Sequence, residues 1–250
     1  MLVAAALVPE TALLVPGAAG RADVLGKVRE AALTAVARVL DQAPDTVVVV
    51  APGPIDRVLG EGARPSLAAA GIPDDALGWR PAPSGPESVA ANPAASVALL
   101  LLAAAGWQGR TVTVEVGGAS PDPERLRAQG AAQAGPAEPG ARIGLLVAGS
   151  LSARHGPDAP LAEDPQAVTV DAELLEAIAD AGPHALARLA GLPADVAQRL
   201  AITLWGPMQV LLGAVGEVPG ARVAADVLVA DAPLGAQYAV ATWLTGQAAR

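Results

Sequence analysis

The chain opens with the apolar run Leu2-Val3-Ala4-Ala5-Ala6-Leu7-Val8, and Pro9, Glu10 and Thr11 follow directly. A run without polar alternation is typical of a strand that helices cover on both faces. The run lacks the positive segment of a signal peptide, because the first basic residue is Arg21. We therefore interpret it as the first strand of a central sheet.

Further apolar runs predict the rest of this sheet, and segments with helical spacing separate them. Strands that alternate with helices favour an α/β three-layer domain, with a central mixed, largely parallel sheet flanked by helices. All 250 residues are expected to form one domain, 1–250, because no sharp change of composition divides the chain. The other predicted strands are Thr46–Ala51, Thr111–Val116, Arg142–Ala148 and Arg222–Ala230.

The predicted helices follow from three- and four-residue apolar spacing and from Pro or Asp at their starts. Asp171 is interpreted as an N-cap. The segments are Ala22–Leu40, a helix that begins near Pro93, Glu124–Ala132, Asp171–Ala181, Ala185–Ala190, Ala194–Leu204, Pro207–Val215 and Ala236–Thr245.

The composition excludes several classes of function. The net charge is −9 and the chain has no basic run, which argues against nucleic acid and against an anionic membrane surface as partners. Zero Cys excludes disulfides, thiolate metal sites and Cys nucleophiles. We expect a cytoplasmic protein that makes no use of a membrane.

Candidate chemical residues are sought where strands end, because ligands of open α/β sheets bind at the carboxyl ends of the strands. Glu10 is a candidate cation ligand or acid/base group, or alternatively a surface carboxylate near a helix start. Asp56 follows the second predicted strand. Asp231 follows the last, where a cap for the next turn is the favoured reading.

The loop after Ala148 holds His155, one of only 2 histidines. It is a candidate general base or metal ligand, or alternatively an exposed loop residue. Ser150 and Ser152 precede it as candidate nucleophiles. The Gly-x-Ser-x-Gly pattern of a nucleophile elbow is absent, so a serine hydrolase would have to use a different arrangement.

Five segments, in order along nearly the whole chain, resemble one family. They are similar to class III (LigB-type) extradiol ring-cleavage dioxygenase subunit-B-like proteins of actinobacteria. The resemblance implies an α/β domain with a mixed sheet and a crevice that holds Fe(II) through two His and one Glu. The segments are Leu2–Pro16, Val47–Pro54, Leu145–Arg154, Trp205–Leu211 and Ala232–Trp243.

The residues that the resemblance assigns to catalysis are largely replaced. Glu10 stands where the family has its first iron-binding His, and the loop after Val50 offers only Pro, Gly and Asp56. The family's acid/base His follows a Leu-Ser pair, whereas Ala153 follows here and His155 comes two positions late. The third ligand has no secure match.

Three hypotheses remain open. The first is a non-catalytic binding protein, a pseudoenzyme whose crevice holds a small aromatic molecule or a partner subunit. Such a protein would form homo-oligomers or pair with that subunit. The second is an active Fe(II) dioxygenase acting on a catechol-like substrate through Glu10, His155 and either Asp56 or Asp231. The third is an α/β serine hydrolase using Ser150 or Ser152 with His155. Two imidazoles in the whole chain favour the first hypothesis.

Overall fold

The computed structural model describes residues 1–79, 88–118, 122–135, 140–218 and 221–247. Within these ranges lie nine strands and seven helices, joined in places by short 3-10 turns. The strands are β1 Leu2–Val8, β2 Thr46–Gly53, β3 Arg57–Gly60, β4 Ala63–Arg64, β5 Val89–Ala90, β6 Arg110–Gly117, β7 Ile143–Ala148, β8 Ala221–Asp231 and β9 Tyr238–Gln247. The helices are α1 Gly26–Leu40, α2 Pro93–Ala104, α3 Pro123–Ala134, α4 Ala167–Asp180, α5 Pro183–Ala190, α6 Ala194–Leu200 and α7 Trp205–Gly216.

A seven-stranded sheet with the order β3-β6-β2-β7-β1-β9-β8 forms the centre of the molecule. The four strands β6, β2, β7 and β1 are parallel neighbours. β9 is antiparallel to both β1 and β8, and β3 is antiparallel to β6. The prediction of a mixed, largely parallel sheet is confirmed. β4 and β5 pair separately as a small parallel ribbon.

Helices cover both faces of the sheet and make it the middle of three layers. Ala4, Ala6 and Val8 of β1 join the core beneath α1 and α2, whereas Ala5 and Leu7 join the core beneath α3 to α7. Successive residues of a strand point to opposite faces, so a strand buried on both sides is apolar throughout. Among the helices in the described ranges, none is long and apolar enough to cross a lipid bilayer.

The prediction of a helix over Ala236–Thr245 is wrong, because this segment forms most of β9. β9 lies inside the sheet between β1 and β8, and it is buried on both faces from Tyr238 to Trp243. A strand that is apolar on both faces has no period that separates it from a buried helix. Its β-branched and aromatic content was the signal that favoured a strand.

Predicted helix boundaries are also wrong: α1 begins at Gly26 instead of Ala22, and two further errors concern polar side chains. α4 begins at Ala167, so Asp171 lies within the helix instead of capping it. α6 ends at Leu200, where Ala201 adopts a left-handed φ of 56°. Thr203 therefore lies in the turn before α7, at the edge of the sheet where β1 and β7 end.

Candidate functional site

The carboxyl ends of β6, β2, β7 and β1 lie along one edge of the sheet, because these strands are parallel neighbours. Glu10 lies just beyond β1 and Ser150 just beyond β7. The two strands are adjacent, with Val8 opposite Ala148. This register places the two polar residues side by side.

Glu10, Ser150 and Thr203 form a hydrogen-bonded group that we call the Glu10 cluster. The Ser150 hydroxyl donates to Glu10 Oε2 at 2.5 Å, and the Thr203 hydroxyl donates to Glu10 Oε1 at 2.6 Å. The Ser150 amide donates in turn to Thr203 Oγ1 at 2.8 Å. Glu10 is partly exposed, so its carboxylate is held in place while remaining open to solvent. Each carboxylate oxygen keeps acceptor capacity for a further donor.

Tyr238, the only tyrosine of the chain, lies beside the Glu10 cluster at the start of β9. Burial raises the pKa of its phenol, the hydrogen bond with Thr11 opposes this, and the negative charge of Glu10 adds to the rise. The phenol therefore stays protonated at neutral pH. The phenol of Tyr238 is therefore an uncharged neighbour of the Glu10 cluster.

A cleft of about 510 Å³ opens at the same edge of the sheet. Thr203 connects the cleft to the Glu10 cluster, because it lines the cleft and donates to Glu10. The Trp205 indole also lines the cleft, and its Nε1–H donates a hydrogen bond to the Leu192 carbonyl at 2.8 Å. The lining is otherwise mainly apolar or glycine, and it includes Pro52, Gly53, Val116, Gly117, Ile202 and Pro207.

A second carboxylate network is centred on a buried carboxylate of α4. Asp171 is 1% exposed and accepts the Ser152 hydroxyl at 2.5 Å and the Ser152 amide at 3.0 Å. His155 Nε2 lies 2.6 Å from the same carboxylate. We call these three residues the Asp171 clamp, because they fasten the loop after β7 to α4.

The geometry of the Asp171 clamp differs from that of a catalytic triad. In a serine triad the imidazole lies between the hydroxyl and the carboxylate. Here the carboxylate of Asp171 lies in the centre and receives both Ser152 and His155. Ser152 is 0% exposed, so its hydroxyl does not face a substrate.

Asp56 and Asp231, the other predicted metal ligands, lie apart from Glu10. Asp56 accepts the Gly117 amide at 2.8 Å and pairs with Arg125 at 2.6 Å, beside the end of β6. β1 and β6 are three strand spacings apart, which is about 14 Å. Asp231 is exposed at the end of β8, and it accepts the amide of Ala232 at 2.9 Å. The turn that follows has Ala232 as its N-cap and no side-chain cap, so the cap favoured from sequence is not formed.

The residues present do not fit the iron site that the resemblance implies. That site requires two imidazoles and one carboxylate around a single open position. The ring of His155 is turned to the buried Asp171, and His184 is exposed at the start of α5. Within the part of the chain that the structure describes, no group of three or more His, Asp or Glu side chains is arranged to hold a metal ion.

Sequence reasoning missed three polar residues of this region. Thr203 and Tyr238 fell inside predicted helices that the structure replaces with a turn and a strand. Asp171 was interpreted as a cap. Its spacing of three and seven residues from Leu174 and Ile178 was a signal that it shares their buried face.

A fully buried carboxylate, also unpredicted, joins three elements of the fold. Glu115 on β6 is 0% exposed, and it accepts hydrogen bonds from Arg57 Nε at 2.5 Å and from the backbone N–H of Asn92 at 2.8 Å. The hydrogen bond with Glu115 is the largest cause that raises the pKa of Arg57. The contacts fasten β3 and the start of α2 to β6. These contacts satisfy the buried negative charge of Glu115, so no bound ligand is needed to explain it.

No protein-family model and no curated protein sequence matches the chain. Among solved structures, it is similar to the crystal structure of uncharacterized protein JW3007 from Escherichia coli K12. The TM-score is 0.54 at 14% sequence identity, and the match covers 97% of this chain and 99% of that chain. At this identity the likeness shows a shared fold, and it extends over nearly the full length.

Proposed function

We propose that the protein is a non-catalytic relative of the class III extradiol dioxygenase subunit-B-like proteins, and that it binds a small aromatic molecule in the cleft beside Glu10. The observation that carries the proposal is the pair of hydrogen bonds that Glu10 accepts at the edge of the cleft. Its carboxylate stands where the resemblance expects an iron-binding imidazole, and the hydroxyls of Ser150 and Thr203 hold it.

The cleft offers an apolar body and one polar end. Val116, Ile202 and the Trp205 indole supply surface against which a ring can pack. Thr203 and the Glu10 carboxylate behind it supply acceptor oxygens. This combination favours an aromatic molecule that carries an O–H or N–H donor, such as a phenol or an aromatic amine.

The test compares two ligands of nearly the same shape, phenol and anisole, by isothermal titration calorimetry. Anisole lacks the donor that Glu10 and Thr203 would accept. Phenol is expected to bind more tightly, and Glu10→Gln is expected to weaken it about tenfold or more, as for loss of a hydrogen bond to a charged group. Asp231→Asn, an exposed carboxylate two strands from β1, is the matched control and leaves the affinity unchanged. Equal affinities for wild type and Glu10→Gln would overturn the proposal.

The dioxygenase and hydrolase hypotheses are separate outcomes of further assays. Protein loaded anaerobically with Fe(II) is expected to retain no stoichiometric iron and to cleave no catechol ring. Stoichiometric iron that Glu10→Ala abolishes, together with ring cleavage, would replace the proposal with a dioxygenase. Covalent labelling by a fluorophosphonate, lost in Ser150→Ala or Ser152→Ala, would replace it with a hydrolase.

A further inference from the structure

The two edges of the central sheet are built differently. β3 has four residues and a break in register between Val58 and Gly60. β8 has eleven residues and pairs only with β9 within the described part of the chain. A long edge strand presents backbone N–H and C=O groups to which another strand can bind, and proteins usually block such an edge with Lys, Pro or a bulge.

The first part of β8 carries two charges of opposite sign, and it has no Lys, Pro or bulge. Residues 221–227 contain no Lys, Pro or Gly, and the register with β9 is regular until the irregularity between Val227 and Val229. Only Arg222 and Asp226 are charged in this segment, and both are exposed. The small residue Ala224 lies midway between them and is also exposed.

The segment is self-complementary when it meets a second copy in the antiparallel direction. A twofold axis at Ala224 places Ala224 opposite Ala224, and Arg222 opposite Asp226 of the second copy. Residues directly opposite each other point to the same face of the sheet, so the two charge pairs form together. The regular segment, 221–227, is centred on this axis and ends where the bulge begins.

Charges on the neighbouring helix are compatible with this pairing. Arg38 of α1 bonds Asp226 Oδ2 at 2.5 Å, and the Asp226 side chain remains 57% exposed. Asp226 Oδ1 is the oxygen that Arg222 of the second copy would use. The guanidinium–carboxylate–guanidinium arrangement would extend an existing ion pair across the interface.

We propose that β8 is a homodimer interface, at which two copies join edge to edge and continue the central sheet across a twofold axis at Ala224. The interface uses the same surface patch of both copies, as twofold dimers do. Its location at β8 is independent of the proposed ligand site, so either proposal can fail without the other.

A cysteine crosslink tests the register. The chain has 0 Cys, so Ala224→Cys introduces the only thiol. Opposite residues of antiparallel strands have Cα atoms about 4.5–5.5 Å apart, which lies within the range of a disulfide. Under mild oxidation Ala224→Cys is expected to form a disulfide-linked dimer. Ala230→Cys, at an exposed position on the same strand beyond the bulge, is the matched control and is expected to remain unlinked.

Sedimentation velocity tests the charges without a crosslink. The dimer fraction of the wild-type protein is expected to rise with protein concentration. Ala224→Lys is expected to raise the dimer dissociation constant at least about tenfold, because two ammonium groups meet at the axis. Ala230→Lys is the control and leaves the dimer intact. Circular dichroism and thermal unfolding confirm that each variant folds. Monomeric wild type at about 1 mM, or a dimer that Ala224→Lys leaves unchanged, would overturn the proposal.

Discussion

Two carboxylates at one edge of the sheet accept a serine hydroxyl at the same distance of 2.5 Å, yet their settings differ. Glu10 is partly exposed and meets Ser150 and Thr203 beside the cleft. Asp171 is 1% exposed and meets Ser152 and His155 within the core. The comparison teaches that burial, more than the identity of the donors, separates a structural carboxylate from one that is open to a ligand.

Removing the two carboxylates should have unequal effects on stability. Asp171→Ala leaves the buried Ser152 hydroxyl and amide without their acceptor, so we expect the free energy of unfolding to fall by about 3 kcal/mol. Glu10→Ala is expected to cost less than about 1 kcal/mol, because water can solvate the groups that it releases. Urea denaturation measures both values. Equal losses would remove the distinction between the two networks.

Removing the serine hydroxyls of the two networks, Ser150 and Ser152, should change the stability in the same order but by smaller amounts. Ser152→Ala leaves a buried carboxylate with fewer donors and is expected to cost about 1–2 kcal/mol. Ser150→Ala affects a carboxylate that solvent reaches, and about 0.5 kcal/mol is expected. The substitutions remove the same atom, so each serves as the control for the other in thermal unfolding. A greater loss for Ser150→Ala would contradict the comparison.

The smallest expected effect is a titration shift in Tyr238. Burial and the charge of Glu10 raise the pKa of this phenol in the folded state. The stability that the neutral phenol contributes is therefore present below its unfolded pKa of about 10, and it is lost as the pH rises through the higher folded pKa. Glu10→Gln removes the negative charge and is expected to lower the pKa of Tyr238 relative to wild type.

Ultraviolet absorbance of the phenolate measures this pKa directly, because the chain has only 1 Tyr. Asp56→Asn is the control, since it removes a carboxylate near the end of β6 and far from Tyr238. An unchanged pKa in Glu10→Gln would mean that the carboxylate does not act on Tyr238.

Much of the fold was predictable because the signals were local. β1, β2 and β7 are apolar runs that end where Pro or Gly follows, and α2 begins at Pro93 after the cap Asn92. β9 was not predictable in this way. Helices cover both faces of β9, so its apolar pattern matches that of a buried helix.

The candidate site was predictable in its location and less so in its members. Parallel strands bring their carboxyl ends to one edge, and both Glu10 and Ser150 were candidates because each follows a predicted strand. The contacts of Thr203 and Asp171 depend on where α6 ends and where α4 begins. Helix ends are decided by packing and capping, which sequence patterns locate only to within a few residues.

The sequence by itself determined the α/β class and the strands β1, β2 and β7, because these depend on residue identity and local period. Only the tertiary structure decided that Glu10 is held by Ser150 and Thr203, and that His155 turns to Asp171. Those partners lie far apart in the chain, 193 residues in the case of Thr203 and Glu10. The order of strands in the sheet brings them together, and no local pattern encodes that order.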